Sequence, residues 1–173
     1  MRLYEGQIPM IAEDIAKTLI KADAVEIDPE NKQEFQLDIQ SILREYVRQD
    51  RALTDHAKDL SAQRGTGYSE SFKIKRQLAR DKGFKLGEDA IGYIIQQLIE
   101  IFFQSMFVED IYLDDNGIRR VIAPVMRKHM GKEEELDSEV RDKIKNLDEG
   151  TRAWEDEYQR VMTKLKRINQ LED

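Results

Sequence analysis

Seven basic side chains lie close together in the middle of the chain, between residues 64 and 87. Only two acidic residues accompany them, so this segment carries a net charge of +5 while the rest of the chain carries −12. Tyr68, Phe72 and Phe84 are interspersed, and such a mixture of cations and aromatic rings could contact phosphates and stack on bases. The candidate contacts for a phosphate or a protein partner are Arg64, Lys73, Lys75, Arg76, Arg80, Lys82 and Lys85.

These charges also have an explanation within the fold, because the basic segment could neutralise acidic stretches such as Glu133–Glu135. The net charge of −7 argues against indiscriminate binding to nucleic acid or acidic lipid. We therefore expect contacts within the chain or with a protein partner. Nucleic-acid or ribosome contact through residues 64–87 is the alternative.

No other group of residues has the spacing of a catalytic or metal site. His56 and His129 are the only histidines, and neither belongs to a zinc-binding pattern. Residues 114–117, with the sequence DDNG, lack the surrounding carboxylates of a calcium loop and predict a turn. We therefore predict a protein that is not an enzyme and has no catalytic residues, no metal site and no cofactor.

The composition predicts an all-α fold. Charged residues make up 36% of the chain, against three prolines and nine glycines, which is typical of long solvated helices. Cysteine is absent, which fits a reducing compartment. Glu5 and Glu13 interrupt the first residues too early for the apolar part of a signal peptide. We expect a cytoplasmic protein.

The most apolar stretch, residues 88–108, predicts a central core helix. Glu100 divides it into pieces that are much shorter than the ~20 apolar residues of a membrane span. The apolar side chains fall on one wide arc of a helical wheel, which favours packing on three sides. The residues predicted to be buried on this arc are Ile91, Ile94, Ile95, Leu98, Ile99, Phe102, Phe103 and Met106.

Helical periodicity elsewhere raises the expected number of helices to six or seven. Asp28-Pro29-Glu30 is a typical start for a long helix, which the polar Gln49 could bend or break. A last helix presents a seam at Trp154, Tyr158, Val161, Leu165 and Ile168. Short extended links near residues 25 and 108 predict at most a two-stranded β element.

An offset of 83 residues aligns the chain with itself. It pairs Ile11 with Ile94, and Val25-Glu26 with Val108-Glu109. The order of predicted elements also agrees, which indicates a duplication. We predict two pseudo-repeated helical halves, residues 1–87 and 88–173, that share one core around the central helix.

Several segments resemble a known bacterial family. They are Leu3 and Glu5 before the first helix, the VEID link at 25–28 and the ILREY helix at 42–46. Together with the following charged segment, they resemble the family called domain of unknown function 507 over nearly the whole chain. The resemblance implies a soluble bacterial protein without an established activity. Because the chain lacks a site motif and has more helical seam than one small core must use, we expect a helical interaction or scaffold protein that acts through a protein partner or as a homodimer.

Overall fold

The computed structural model describes residues 1–173 and contains seven α-helices and two short strands. Single turns of 3-10 helix at Glu5–Gln7 and Pro29–Asn31 lead into the first two helices. The elements in chain order are α1 (Ile8–Lys21), β1 (Val25–Glu26), α2 (Lys32–Gln63), α3 (Tyr68–Asp81), α4 (Asp89–Gln104), β2 (Asp110–Ile111), α5 (Asp115–Met130), α6 (Lys132–Lys143) and α7 (Arg152–Ile168). The predicted all-α class is confirmed.

The main core lies among α1, α2, α4 and α5, so it contains residues from both predicted halves. α1 packs on α2 and α5, while α4 packs on α5 and α2. Ile11 in α1 and Ile94 in α4 are both fully buried. A smaller core joins α6 and α7 to the N-terminal Tyr4. None of the seven helices combines the length and the apolarity that a membrane crossing requires.

The central helix is shorter than residues 88–108 because it ends at Gln104. Ser105 has an extended backbone, and its hydroxyl donates a hydrogen bond to Asp38 in α2. The predicted burial is correct for Ile91, Ile94, Ile95, Leu98, Ile99 and Phe102. It is wrong for Phe103 and Met106, which are 68% and 85% exposed. α4 packs mainly on two helices, α2 and α5, and the buried arc is correspondingly narrower than predicted.

α2 runs through Gln49 without a break, contrary to the predicted interruption. The Gln49 side chain is only partly buried and donates a hydrogen bond to Glu45, one turn earlier, at 2.6 Å. Its amide therefore has a polar partner outside the core, and the helix has no reason to bend. At the start of this region, the Asp28 carboxylate accepts a hydrogen bond from the Glu30 amide at 2.9 Å, as its capping role predicts.

The two extended links pair as an antiparallel two-stranded sheet, with Val25 opposite Ile111 and Glu26 opposite Asp110. The turn predicted at residues 114–117 is instead the start of α5. The carboxylate of Asp114 accepts a hydrogen bond from the Gly117 amide at 2.7 Å, so this acidic residue is an N-cap.

The order of the elements agrees in part with the predicted repeat. α1 and α4 end, and α2 and α5 begin, at positions that differ by 83 residues. The long helix is continuous in the first segment, whereas Gly131 separates α5 from α6 in the second. The duplication itself stays a prediction.

Candidate interaction surface

α3 folds back against the C-terminal part of α2 as the second arm of a helical hairpin. Gly65 occupies the left-handed region, with φ of 65°, in the loop between the two helices. The buried hydroxyl of Ser61 donates to the Thr66 carbonyl at 3.0 Å and thereby fixes this loop. Ile74 and Ala79 of α3 are buried, whereas the flank of α3 that carries Tyr68 and Phe72 is open to solvent.

The exposed side of α3 carries a row of residues spaced four apart, which places them next to one another along the helix. We call Tyr68, Phe72, Arg76 and Arg80 the α3 row. Tyr68 is 84% and Phe72 is 51% exposed. The Arg76 guanidinium lies 4.8 Å from the centre of the Phe72 ring, and Arg80 donates to the Gln77 side chain at 3.1 Å. Neither arginine has a carboxylate within 4.0 Å.

The seven predicted contact residues do not form one patch. Lys75 points towards α2 and pairs with Asp50 at 2.8 Å, and Lys73 pairs with Glu70 on its own helix at 3.5 Å. Arg64, Lys82 and Lys85 lie in the loops on either side of α3 and are exposed. Arg76 and Arg80 are the only two of the seven cations that belong to the α3 row.

The basic segment does not neutralise Glu133–Glu135, so that expectation is wrong. Glu133 pairs with Lys166 of α7, Glu134 with the N-terminal amino group and Glu135 with Lys132. The reason is positional, because α6 packs on α7 and α5 rather than on α3.

A groove of about 530 Å³ runs beside the α3 row. Its lining includes Tyr46, Asp50, Lys58, Tyr68, Phe72 and Lys75. Burial raises the pKa of Tyr46 well above its ordinary value, so the phenol stays a neutral donor and binds the Lys85 carbonyl at 2.9 Å. The Tyr46 ring also stacks on Phe84 with the centroids 4.7 Å apart. These contacts fix the segment after α3 against α2.

The sequence matches a family model described as a protein of unknown function (DUF507) over residues 1–169. The chain belongs to the DUF507 family. The predicted resemblance is therefore confirmed over nearly the whole length. No curated protein matches the chain at a significant level.

A second polar feature of the DUF507 chain lies inside the fold and was not predicted. His129 of α5 is buried, and its Nε2 lies 2.7 Å from a carboxylate oxygen of Asp14 in α1. The Gln7 amide nitrogen donates to the His129 carbonyl at 3.2 Å. His129 lies among the apolar positions of α5, which was the only sequence signal for its burial. No three His, Asp or Glu side chains come together as a metal site.

Proposed function

We propose that this DUF507 protein is a non-enzymatic helical interaction protein of the bacterial cytoplasm that acts through a protein partner or by self-association. One observation carries the proposal. The α3 row exposes two aromatic rings beside two arginines that have no carboxylate partner in the fold. Aromatic residues and arginine are the types that contribute most binding energy at protein interfaces.

The chemistry of the row indicates what kind of partner it would bind. Tyr68 and Phe72 offer apolar area that a partner could cover. Burying a fully exposed large apolar side chain contributes about 1.5–3 kcal/mol, and the half-buried Phe72 offers proportionally less. Arg76 and Arg80 would lie opposite carboxylates, because opposite charges across an interface provide specificity and speed up association. The expected partner is therefore a protein surface with exposed apolar residues and an acidic border.

Contact with nucleic acid or the ribosome is the second candidate function. It is favoured by the same neighbouring rings and arginines, since single-stranded nucleic acid binds to stacking surfaces beside cations. It ranks second because the chain has a net charge of −7 and because Lys75, the least exposed cation of the segment, is already paired with Asp50.

Affinity isolation from the native cell tests the proposal when three versions of the protein are compared. Arg76→Glu with Arg80→Glu reverses both charges of the α3 row. Arg152→Glu with Lys164→Glu, on the exposed side of α7, reverses the same number of charges elsewhere. After nuclease treatment, the wild type and the α7 control should retain the same proteins, identified by mass spectrometry, and the α3 variant should lose them.

If the α3 variant retains the same proteins, the α3 row is not the surface that binds them. If nuclease treatment instead releases everything that the wild type retains, nucleic-acid binding becomes the better explanation.

A further inference from the structure

A second exposed surface lies where the end of α4 meets the beginning of α2. We call Leu37, Phe103 and Met106 the apolar patch. Leu37 is 49% exposed, and the other two side chains are more exposed still. The hydrogen bond from Ser105 to Asp38 joins the residue before Met106 to the residue after Leu37, so both apolar residues belong to the junction of α4 with α2.

The chain segments that carry this patch are rich in carboxylates. Residues 26–38 and 100–110 together contain eight acidic residues and only one basic residue, Lys32. Asp38 and Glu100 lie within one helical turn of Leu37 and Phe103 respectively. The apolar patch is therefore bordered by negative charge, whereas the aromatic rings of the α3 row are followed by positive charge.

One chain cannot bring its own α3 row onto its own apolar patch. The α3 row borders the groove beside Ala57 and Lys58, and Leu37 precedes Ala57 by 20 residues on the same helix. At 1.5 Å per residue, Leu37 lies about 30 Å along α2 from the level of Ala57, and about 20 Å from Asp50, which pairs with Lys75 beside Arg76. α2 is continuous over that distance, so it acts as a rigid spacer between the two surfaces. Only a second molecule can join the two surfaces.

We infer that the partner of the α3 row is the apolar patch of a second copy of this chain. This inference rests on the proposed function and names its partner. Tyr68 and Phe72 of one copy cover Leu37, Phe103 and Met106 of the next, where the thioether of Met106 suits an aromatic neighbour. Arg76 and Arg80 then meet the acidic border of that patch.

The contact is head-to-tail because the two surfaces are different and lie at different ends of α2. Such heterologous contacts leave one free surface of each kind in every dimer, and they continue into rings or open chains. The inferred assembly of the wild type is therefore a concentration-dependent series rather than a single closed dimer.

Complementation between two variants tests this arrangement. Arg76→Glu with Arg80→Glu removes the charges of the α3 row but leaves the patch intact. Phe103→Asp with Met106→Asp removes the patch but leaves the row intact. In sedimentation velocity over the micromolar range, the wild type should form species larger than a dimer, and each variant alone should remain monomeric. An equimolar mixture should form a dimer that grows no further, since it contains one intact pair of surfaces.

Circular dichroism and the melting temperature of each variant show whether the chain is still folded. All four substituted positions are solvent-exposed. If either variant alone still forms dimers, the two surfaces do not meet as inferred. A mixture that stays monomeric would lead to the same conclusion.

If the wild type is monomeric throughout the concentration range, the chain does not bind a second copy of itself. The proposed function would still stand if the α3 variant nevertheless lost its proteins in the affinity isolation. The two failures can therefore be told apart.

Discussion

The Nζ atom of Lys75 lies 2.8 Å from a carboxylate oxygen of Asp50, and this ion pair joins α3 to α2 beside the groove. The two side chains are only 15% and 24% exposed. Lys75 therefore differs from its neighbour Arg76, which points to solvent. The basic segment contains at least one residue whose role in the fold is structural, together with residues that are free to bind a partner.

Lys75→Met should lower the free energy of unfolding by about 1–3 kcal/mol. The substitution keeps an unbranched side chain but leaves the partly buried Asp50 carboxylate without its partner. Urea denaturation measures the change. Lys73→Met is the matched control, because Lys73 is 67% exposed and its pair with Glu70 should contribute only ~0–1 kcal/mol. Equal effects at the two positions would show that the contact with Asp50 does not hold α3 in place.

Ile95→Asp should unfold or aggregate the protein, whereas Phe103→Asp should leave it folded. Ile95 is 1% exposed within the main core. An unpaired charge there costs several kcal/mol, a large part of the ~5–15 kcal/mol that stabilises a typical domain. Phe103 lies on the same helix but faces solvent. Thermal unfolding followed by circular dichroism compares the two variants, and a soluble Ile95→Asp protein with an unchanged melting temperature would contradict the assignment of α4 as the core helix.

The buried positions of α4 could be predicted because they follow the 3.6-residue period. The end of the helix could not, since it coincides with a hydrogen bond between Ser105 and Asp38, which are 67 positions apart. The exposure of Phe103 depends on how many neighbouring helices cover α4, and a helical wheel does not contain that information.

The residue types of the candidate surface could be predicted from the sequence, but their spatial arrangement could not. The charge distribution along the sequence identifies residues 64–87 as the basic segment. It could not separate Lys75 from Arg76, because the register of the hairpin decides which of the two faces Asp50. Burial of His129 beside Asp14 similarly depends on the packing of α1 against α5.

Glu133→Gln should make the free energy of unfolding depend less on pH in the acidic range. Burial alone would raise the pKa of Glu133, but hydrogen bonds with Lys166 and Tyr4 outweigh it and hold this pKa below its ordinary value. The ion pair therefore stabilises the fold above the pKa that Glu133 has in the unfolded chain, and this stability is lost as the pH falls through the lower pKa of the folded state.

The free energy of unfolding of the wild type and of Glu133→Gln is measured by urea denaturation at several pH values between about 6 and 3. This range begins above the ordinary glutamate pKa of ~4.3. The difference in stability between the two proteins should shrink as the pH falls. Glu134→Gln provides a control on the same helix, since Glu134 is more exposed and contacts the N-terminal amino group. A constant difference across the series would show that the charge of Glu133 does not support the smaller core.

Titration with nucleic acid at several salt concentrations separates the two candidate functions. If Arg76 and Arg80 neutralised phosphates, the logarithm of the binding constant would fall with the logarithm of the salt concentration, by about 0.7 to 0.9 for each phosphate neutralised. Arg76→Glu with Arg80→Glu would then reduce that slope by roughly two such increments and weaken binding to every sequence. We expect instead that neither the wild type nor this variant shifts single-stranded RNA or DNA in a gel at physiological salt, because the row has only two unpaired cations on a chain of net charge −7. A wild-type shift under these conditions that the variant lacks would favour nucleic acid over a protein partner.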